Sequence, residues 1–179
     1  IMSKTTFDSA KDKNAGDNMI KLAKKLYPYN RSIMGPDIRF SFENFINENP
    51  EFNPIKFKTG EKVFDWEIPD EWIIREAYLE HESGKRFAEF SKSNLHLMGY
   101  SRAINRIIDK NTLVKNLHTI PELPDAIPYV TSYYKKDWGF CLSNNDFSIL
   151  PNGNYKVIID SDHKPGELWL IEAVVPGES

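Results

Sequence analysis

Leu117-His118-Thr119-Ile120-Pro121-Glu122-Leu123-Pro124-Asp125-Ala126-Ile127-Pro128-Tyr129-Val130-Thr131-Ser132-Tyr133-Tyr134-Lys135-Lys136-Asp137-Trp138-Gly139-Phe140-Cys141-Leu142 gathers prolines in its first half and rings in its second. Pro121, Pro124 and Pro128 fix φ and push the preceding residues into extended geometry, which predicts a stiff, non-helical crossing. In the second half, Val130, Tyr133, Tyr134, Trp138 and Phe140 surround Lys135-Lys136-Asp137. That pattern predicts a hairpin of two short aromatic strands around a polar turn. The rings serve one of two ends: they close a core between two units, or Tyr133, Tyr134 and Trp138 line a wall that binds a sugar or peptide.

Upstream, Met19, Leu22, Ala23 and Leu26 recur at helical spacing behind a cap at Asp17 or Asn18, and Pro28 ends that helix. Residues Ile1 to Gly16 are polar and patternless, which predicts a frayed tail. A second helix begins with Pro36 in its first turn and carries Ile38, Phe42, Phe45 and Ile46 as its apolar stripe. The period then becomes two. Ile55 and Phe57, then Phe64, Trp66 and Ile68, alternate with charged residues and predict half-buried strands. Trp72 to Leu79 reads as a strand with apolar side chains on both faces, and Arg86 to Phe90 and Ser93 to Ser101 as further strands. Gly99 marks a bulge or a close backbone approach. A short helix is expected from Thr112 to Leu117, and Ser143 or Asn144 caps another that runs to Leu150. Tyr155 to Ser161 and Leu168 to Val175 are the last predicted strands, joined through Lys164-Pro165-Gly166.

With 179 residues, 40% of them hydrophobic and 13% aromatic, the chain can bury a real core. A net charge of -3 argues against a broad nucleic-acid footprint, which needs a concentrated basic face. No apolar run approaches the roughly 20 residues of a membrane span, and the first residues lack an apolar leader. Neither nucleic acid nor membrane is therefore an expected partner, and a cytoplasmic location is expected. The single cysteine, Cys141, lies between Phe140 and Leu142 and reads as a buried, inert thiol.

The four histidines, His81, His96, His118 and His163, show no local ligand pairing of the kind that catalytic zinc requires. Asp160-Ser161-Asp162-His163 is the one compact candidate, set against a plain polar loop. His96, between Leu95 and Leu97, points into a cleft or hydrogen-bonds within the core. Arg75 needs a partner if buried, and Asp65 or Asp125 is the expected one, in a structural ion pair or as a substrate clamp. No nucleophile elbow, phosphate loop or Cys-His pair is present.

Four motifs carry a resemblance: Arg31-Ser32-Ile33-x-Gly35, Val63-Phe64-Asp65-Trp66-x-Ile68-Pro69-x-Glu71-Trp72-x-Ile74-Arg75-x-Ala77-Tyr78, Ser93-Asn94-Leu95-His96-x-x-Gly99-Tyr100-Ser101, and the whole of Leu117 to Leu142. The chain resembles bacterial aminopeptidase-like proteins of the zinc exopeptidase superfamily, whose genes often accompany surface-polysaccharide biosynthesis. Met34 departs from the pattern, since relatives tend to have threonine there. The resemblance implies a peptidase-like domain with a small inserted domain of unknown function, and a winged helix at the C-terminus. It also implies two metal ions and a carboxylate base, with the first ligand-bearing segment beyond Ser179. No cofactor is then expected on this chain itself, and zinc belongs to the longer family member.

The expected fold is α+β. Residues 1–16 form a disordered tail, 17–62 and 151–179 a partial aminopeptidase-like domain, and 63–150 an inserted β-rich domain. The chain would supply scaffold and a substrate-cleft wall through Arg75, His96, Asp125, Tyr133, Tyr134 and Trp138, for a peptide or amide-bearing sugar substrate. Self-association is expected if strands near the end lack their cover. The competing class is a non-catalytic binding or interaction module.

Overall fold

A computed structural model describes residues 14–174 and 177. In chain order the elements are α1 (Ala15–Leu26), α2 (Pro36–Glu48), β1 (Asn53–Lys58), β2 (Lys62–Val63), β3 (Trp66–Glu67), β4 (Glu71–His81), β5 (Arg86–Phe87), β6 (Ile104–Asp109), α3 (Lys110–Leu113), β7 (Leu117–His118), β8 (Phe140–Cys141), α4 (Asn144–Ser148), β9 (Asn154–Lys164) and β10 (Glu167–Glu172). The fold is α+β. Of the frayed tail expected at 1–16, residues 1–13 lie outside the described residues, and Ala15 and Gly16 are instead the first residues of α1, which starts ahead of the predicted cap.

One antiparallel sheet, ordered β5-β4-β9-β6, organises the chain. In β9, buried Tyr155, Val157, Ile159 and Ser161 alternate with exposed Lys156, Asp160 and Asp162, the period-two signature of a strand with one covered face. The sequence division gives this strand to the peptidase-like segment after Leu150, yet it pairs over its whole length with β4 and on its other side with β6. Strand β6 itself is missing from the sequence reading, because Asn105, Arg106 and Asp109 dilute its apolar alternation.

Strand β4 carries Trp72, Ala77 and Leu79 into the core, joined by Phe87, Leu97, Tyr100, Leu113, Trp138, Phe140, Leu142 and Leu150. A bulge between Ile74 and Glu76 absorbs one residue, so both Arg75 and Glu76 face solvent while the core face continues from Ile74 to Ala77. Trp138 is 9% exposed and Phe140 fully buried, so these two rings close the core.

The hairpin expected at Val130 to Phe140 does not form. Both of its arms pair with the segment 98–102 instead of with each other: Gly99 N–H donates to Val130 O and Ser132 N–H to Gly99 O on one side, and Met98 N–H to Gly139 O and Arg102 N–H to Asp137 O on the other. Insertion of that segment satisfies more backbone groups than a two-stranded ribbon could. Gly99 is the close approach its identity suggests, with the Thr131 side chain 3.3 Å from where a Cβ would stand. The expected strand from Ser93 to Ser101 is likewise corrected. Residues Asn94–His96 form a 3-10 turn, with Ser93 Oγ accepting from Leu95 N–H. Behind it, the Trp72 indole N–H and the Ser161 hydroxyl both donate to Ser101 O at 2.9 Å, and the Ser101 hydroxyl donates to Met98 O.

Helix α2 docks on β4 through a part-buried ion pair. Arg39 of α2 meets Glu71 at the start of β4 through both guanidinium nitrogens, and Glu167 N–H adds a third contact to the same carboxylate. Glu71 is 5% exposed. Burial raises its pKa, but the Arg39 and Glu167 hydrogen bonds and the charges of Arg39 and Lys164 outweigh that, holding the carboxyl below its usual range. Strand β10 pairs with β1 as a two-stranded ribbon beside this joint. Of the apolar stripe expected on α1, Leu26 is buried and Leu22 half-buried, while Met19 and Ala23 remain exposed. Among the described residues, no helix is long and apolar enough to cross a membrane.

Candidate functional site

Pro28 stops α1, and the chain turns tightly before α2: Tyr29 N–H donates to Leu26 O, Arg31 N–H to Tyr29 O, Ser32 N–H to Asn30 O, and Asn30 N–H to Asp37 Oδ2 at 2.8 Å. Gly35 completes the turn at φ 131, in the region that favours glycine, with Trp72 O 3.3 Å from where a Cβ would be. The Asn94 amide donates to Tyr29 O at 3.1 Å and ties this turn to the 94–99 segment. Between the two lies a cleft of about 410 Å³, lined chiefly by Tyr27, Tyr29, Arg31, Ser32, Asn94 and Tyr129, with Trp72 at its base. Concave sites of about 300–1,000 Å³ with rings and a few convergent polar groups are the usual form of a small-molecule site.

Two features of the lining stand out chemically. The Ser32 hydroxyl is buried and makes no hydrogen bond. It approaches the Tyr133 phenol without reaching bonding geometry, and that phenol meets the Tyr129 phenol at 3.2 Å. Burial and the Tyr129 neighbour raise the Tyr133 pKa against a smaller lowering by Ser32, so the Tyr133 phenol stays neutral. Arg31 is the one formally charged residue of the lining, and its guanidinium pairs with no carboxylate among the described residues.

The six residues singled out in the sequence are not brought together. Tyr133 reaches the cleft through Tyr129, and its ring stands edge-on to Tyr100 at 4.8 Å. His96 sits beside cleft residues Leu95 and Leu97, but its Nδ1–H donates to Cys141 O at 2.9 Å, so it lies on the 3-10 turn and is held by the core. Trp138 lies elsewhere, against a groove of about 320 Å³ formed with Arg102 to Arg106. Tyr134 is 83% exposed and packs no wall. Asp125 accepts from the Asn145 amide at the surface. Arg75 takes neither Asp65 nor Asp125: it stands on the solvent face, donating to Asp160 at 2.9 Å and to Asp162 at 2.6 Å. Tyr27 and Tyr29 escape sequence reading, while Arg31, Ser32, Asn94 and Tyr129 lie in the quoted motifs but are not among the residues expected at the site.

Among the described residues, no three of His, Cys, Asp and Glu converge on a point that could hold a metal. Asp160-Ser161-Asp162-His163 belongs to β9, its carboxylates held by Arg75 and its imidazole ring 5.8 Å from Tyr100. These residues do not fit a zinc ligand set.

A family model described as a domain of unknown function, DUF2172, matches residues 71–162, from the start of β4 through most of β9. The chain belongs to the DUF2172 family. The match runs from the start of β4 into β9, so the DUF2172 unit contains β4, β5, β6 and all but the last two residues of β9, and the cleft forms where it meets residues 27–38. The chain is 39% identical over 163 residues to a Clostridium acetobutylicum protein named "Putative polysaccharide biosynthesis protein with aminopeptidase-like domain", covering 91% of this chain and 37% of that protein. It also superposes with a TM-score of 0.80 on the crystal structure of a "putative peptidase" from Clostridium acetobutylicum, at 39% identity, covering 86% of this chain and 36% of that one. The DUF2172 chain thus spans little more than a third of either relative's length.

Proposed function

We propose that this chain is part of a zinc-dependent aminopeptidase-like hydrolase of the zinc exopeptidase superfamily, to which it contributes scaffold and one wall of the substrate cleft. The observation that carries the reading is the close match, in sequence and fold together, to a protein named as a peptidase. The metal ligands and the winged helix belong to the part of the longer protein that this chain does not span. The substrate is a peptide or an amide-bearing sugar, consistent with the polysaccharide-biosynthesis name of the relative, and the protein acts in the cytoplasm. The wall is the ring-lined cleft between residues 27–38 and 94–99. Exposed Ile55 and Leu170, paired across β1 and β10, and exposed Met19 and Ile20 on α1 are apolar positions that the remainder of the hydrolase covers, or through which this chain self-associates when alone.

The test is to express the whole reading frame, load it with zinc, and assay hydrolysis of aminoacyl amides and of N-acylated amino sugars. Hydrolysis is expected, with KM raised and kcat kept in Tyr129→Ala and Asn94→Ala, because those side chains orient a substrate without reacting with it. A zinc-loaded, folded protein that hydrolyses neither class would overturn the hydrolase reading and leave a non-catalytic binding module.

A further inference from the structure

We infer that the cleft between residues 27–38 and 94–99 binds an acidic saccharide, with the Arg31 guanidinium meeting the sugar carboxylate and the Ser32 hydroxyl bonding a ring hydroxyl. This rests on reading the cleft as a ligand-binding wall and is independent of the hydrolase chemistry. Ser32 supplies the first argument. Its Oγ is shielded from water and makes no hydrogen bond of good geometry among the described residues, the Tyr133 phenol being its near neighbour of that kind, yet it lines the cleft. A buried hydroxyl without a partner is costly and rare, and a ligand that completes its hydrogen bond gives the position a reason.

Charge supplies the second. Arg31 is the single formal charge in the lining; Asp37, the carboxylate nearest in sequence, is occupied by Asn30 N–H. A planar guanidinium left without a carboxylate, at the rim of a concave site, fits a carboxylate ligand in a two-point contact. Shape and polarity decide between sugar and peptide. An extended peptide is recognised through free backbone donors and acceptors at a strand edge. Here the backbone is taken, with Arg31 N–H and Ser32 N–H turned into their own loop and the Gly99 N–H and carbonyl both bonded to 130–132. What the cleft offers instead is the aromatic side chains of Tyr27, Tyr29 and Tyr129, with Tyr29 backed by Phe40, and the side chains of Asn30 and Asn94. Flat apolar faces interleaved with side-chain donors match the two-sided character of a pyranose.

The experiment is a titration of the isotopically labelled 179-residue chain with digalacturonate, with maltose as a neutral disaccharide, and with glycylglycine as a peptide carboxylate. Digalacturonate should saturate, shifting the amides of residues 29–32 and 94–99, and its affinity should fall as salt rises. Maltose should bind at least tenfold more weakly. Arg31→Gln should erase that preference, and Ser32→Ala should weaken digalacturonate about tenfold while leaving the thermal midpoint unchanged or higher, because it deletes an orphaned hydroxyl. A structural serine would lower the midpoint instead. Equal binding of maltose and digalacturonate, tighter binding of glycylglycine, or no saturable shift with any probe would each overturn the inference. Loss of hydrolysis by the full-length protein would bear only on the hydrolase reading.

Discussion

Replacing Trp138 by alanine separates a packing role from a binding role for the ring-rich stretch. The indole is 9% exposed within the core that also holds Phe140, Leu142 and Trp72. The backbone on either side is pinned, with Asn116 donating to Trp138 O at 2.8 Å and Trp138 N–H donating to Asp137 Oδ1 at 2.8 Å, so collapse around the deleted ring is limited. Truncating a buried tryptophan costs about 3–5 kcal/mol. One side of Trp138 opens onto the groove of Arg102 to Arg106, which places the expected loss near about 3 kcal/mol. For a domain of this size each kcal/mol moves the midpoint by about 2–4 °C, so Tm should fall by about 6–12 °C. Calorimetry and urea titration read this directly. Tyr134→Ala, at a position 83% exposed, is the control and should stay within about 0.5 kcal/mol. An unchanged midpoint in Trp138→Ala, or equal losses in the two variants, would refute the packing assignment.

Glu71→Gln should destabilise by about 2 kcal/mol, since the Arg39 guanidinium keeps its position but loses its countercharge. Because the Glu71 carboxyl is depressed below 4.5 in the folded chain, its contribution is complete above that pH and lost as pH falls through the folded pKa; urea midpoints measured between pH 6 and 3 should therefore fall less steeply in Glu71→Gln than in the parent. Gly166→Ala would place a methyl group into the Glu71 carboxyl and should cost about 1–3 kcal/mol, less when Glu71 is already alanine, as a double-mutant cycle would reveal. Burial pushes the Cys141 thiol up to about 11, so an aromatic disulfide reagent at pH 8 should label it only after unfolding, and rapid labelling of the folded chain would contradict its burial.

Strong periodicity was legible in the sequence, and pairing partners were not. The apolar runs from Trp72 to Leu79 and from Tyr155 to Ser161 identify β4 and β9 as strands, although Trp72 to Leu79 reads as apolar on both faces whereas exposed Arg75, Glu76, Lys156 and Asp160 leave one face of the pair to solvent. That these strands are neighbours is a long-range fact with no local signature, which is why a boundary at Leu150 looked reasonable and separates two adjacent strands. Residues 130–140 carry a true hairpin composition, but their backbone groups found the 98–102 segment instead. The cleft was the least legible part. Ring and proline density drew attention to Tyr134 and Trp138, one in solvent and the other in the core, while Ser32 is set apart only by its unbonded hydroxyl.

The placement of β9 has a kinetic consequence. Its side chains meet those of β4 across 85 residues of chain, as between Arg75 and Asp160, and β10 closes on β1 over a longer span still, with Thr59 and Gly166 separated by 107. Loop-closure entropy must be met before either contact is rewarded, so folding belongs to the slow, topology-limited class. During synthesis, which adds about 5–20 residues each second, β4 emerges with Trp72, Ala77 and Leu79 uncovered and waits several seconds for the strand that shields them. In that interval the nascent chain exposes an unpaired apolar strand, and chaperone capture should be strongest just before residues 154–164 leave the ribosome.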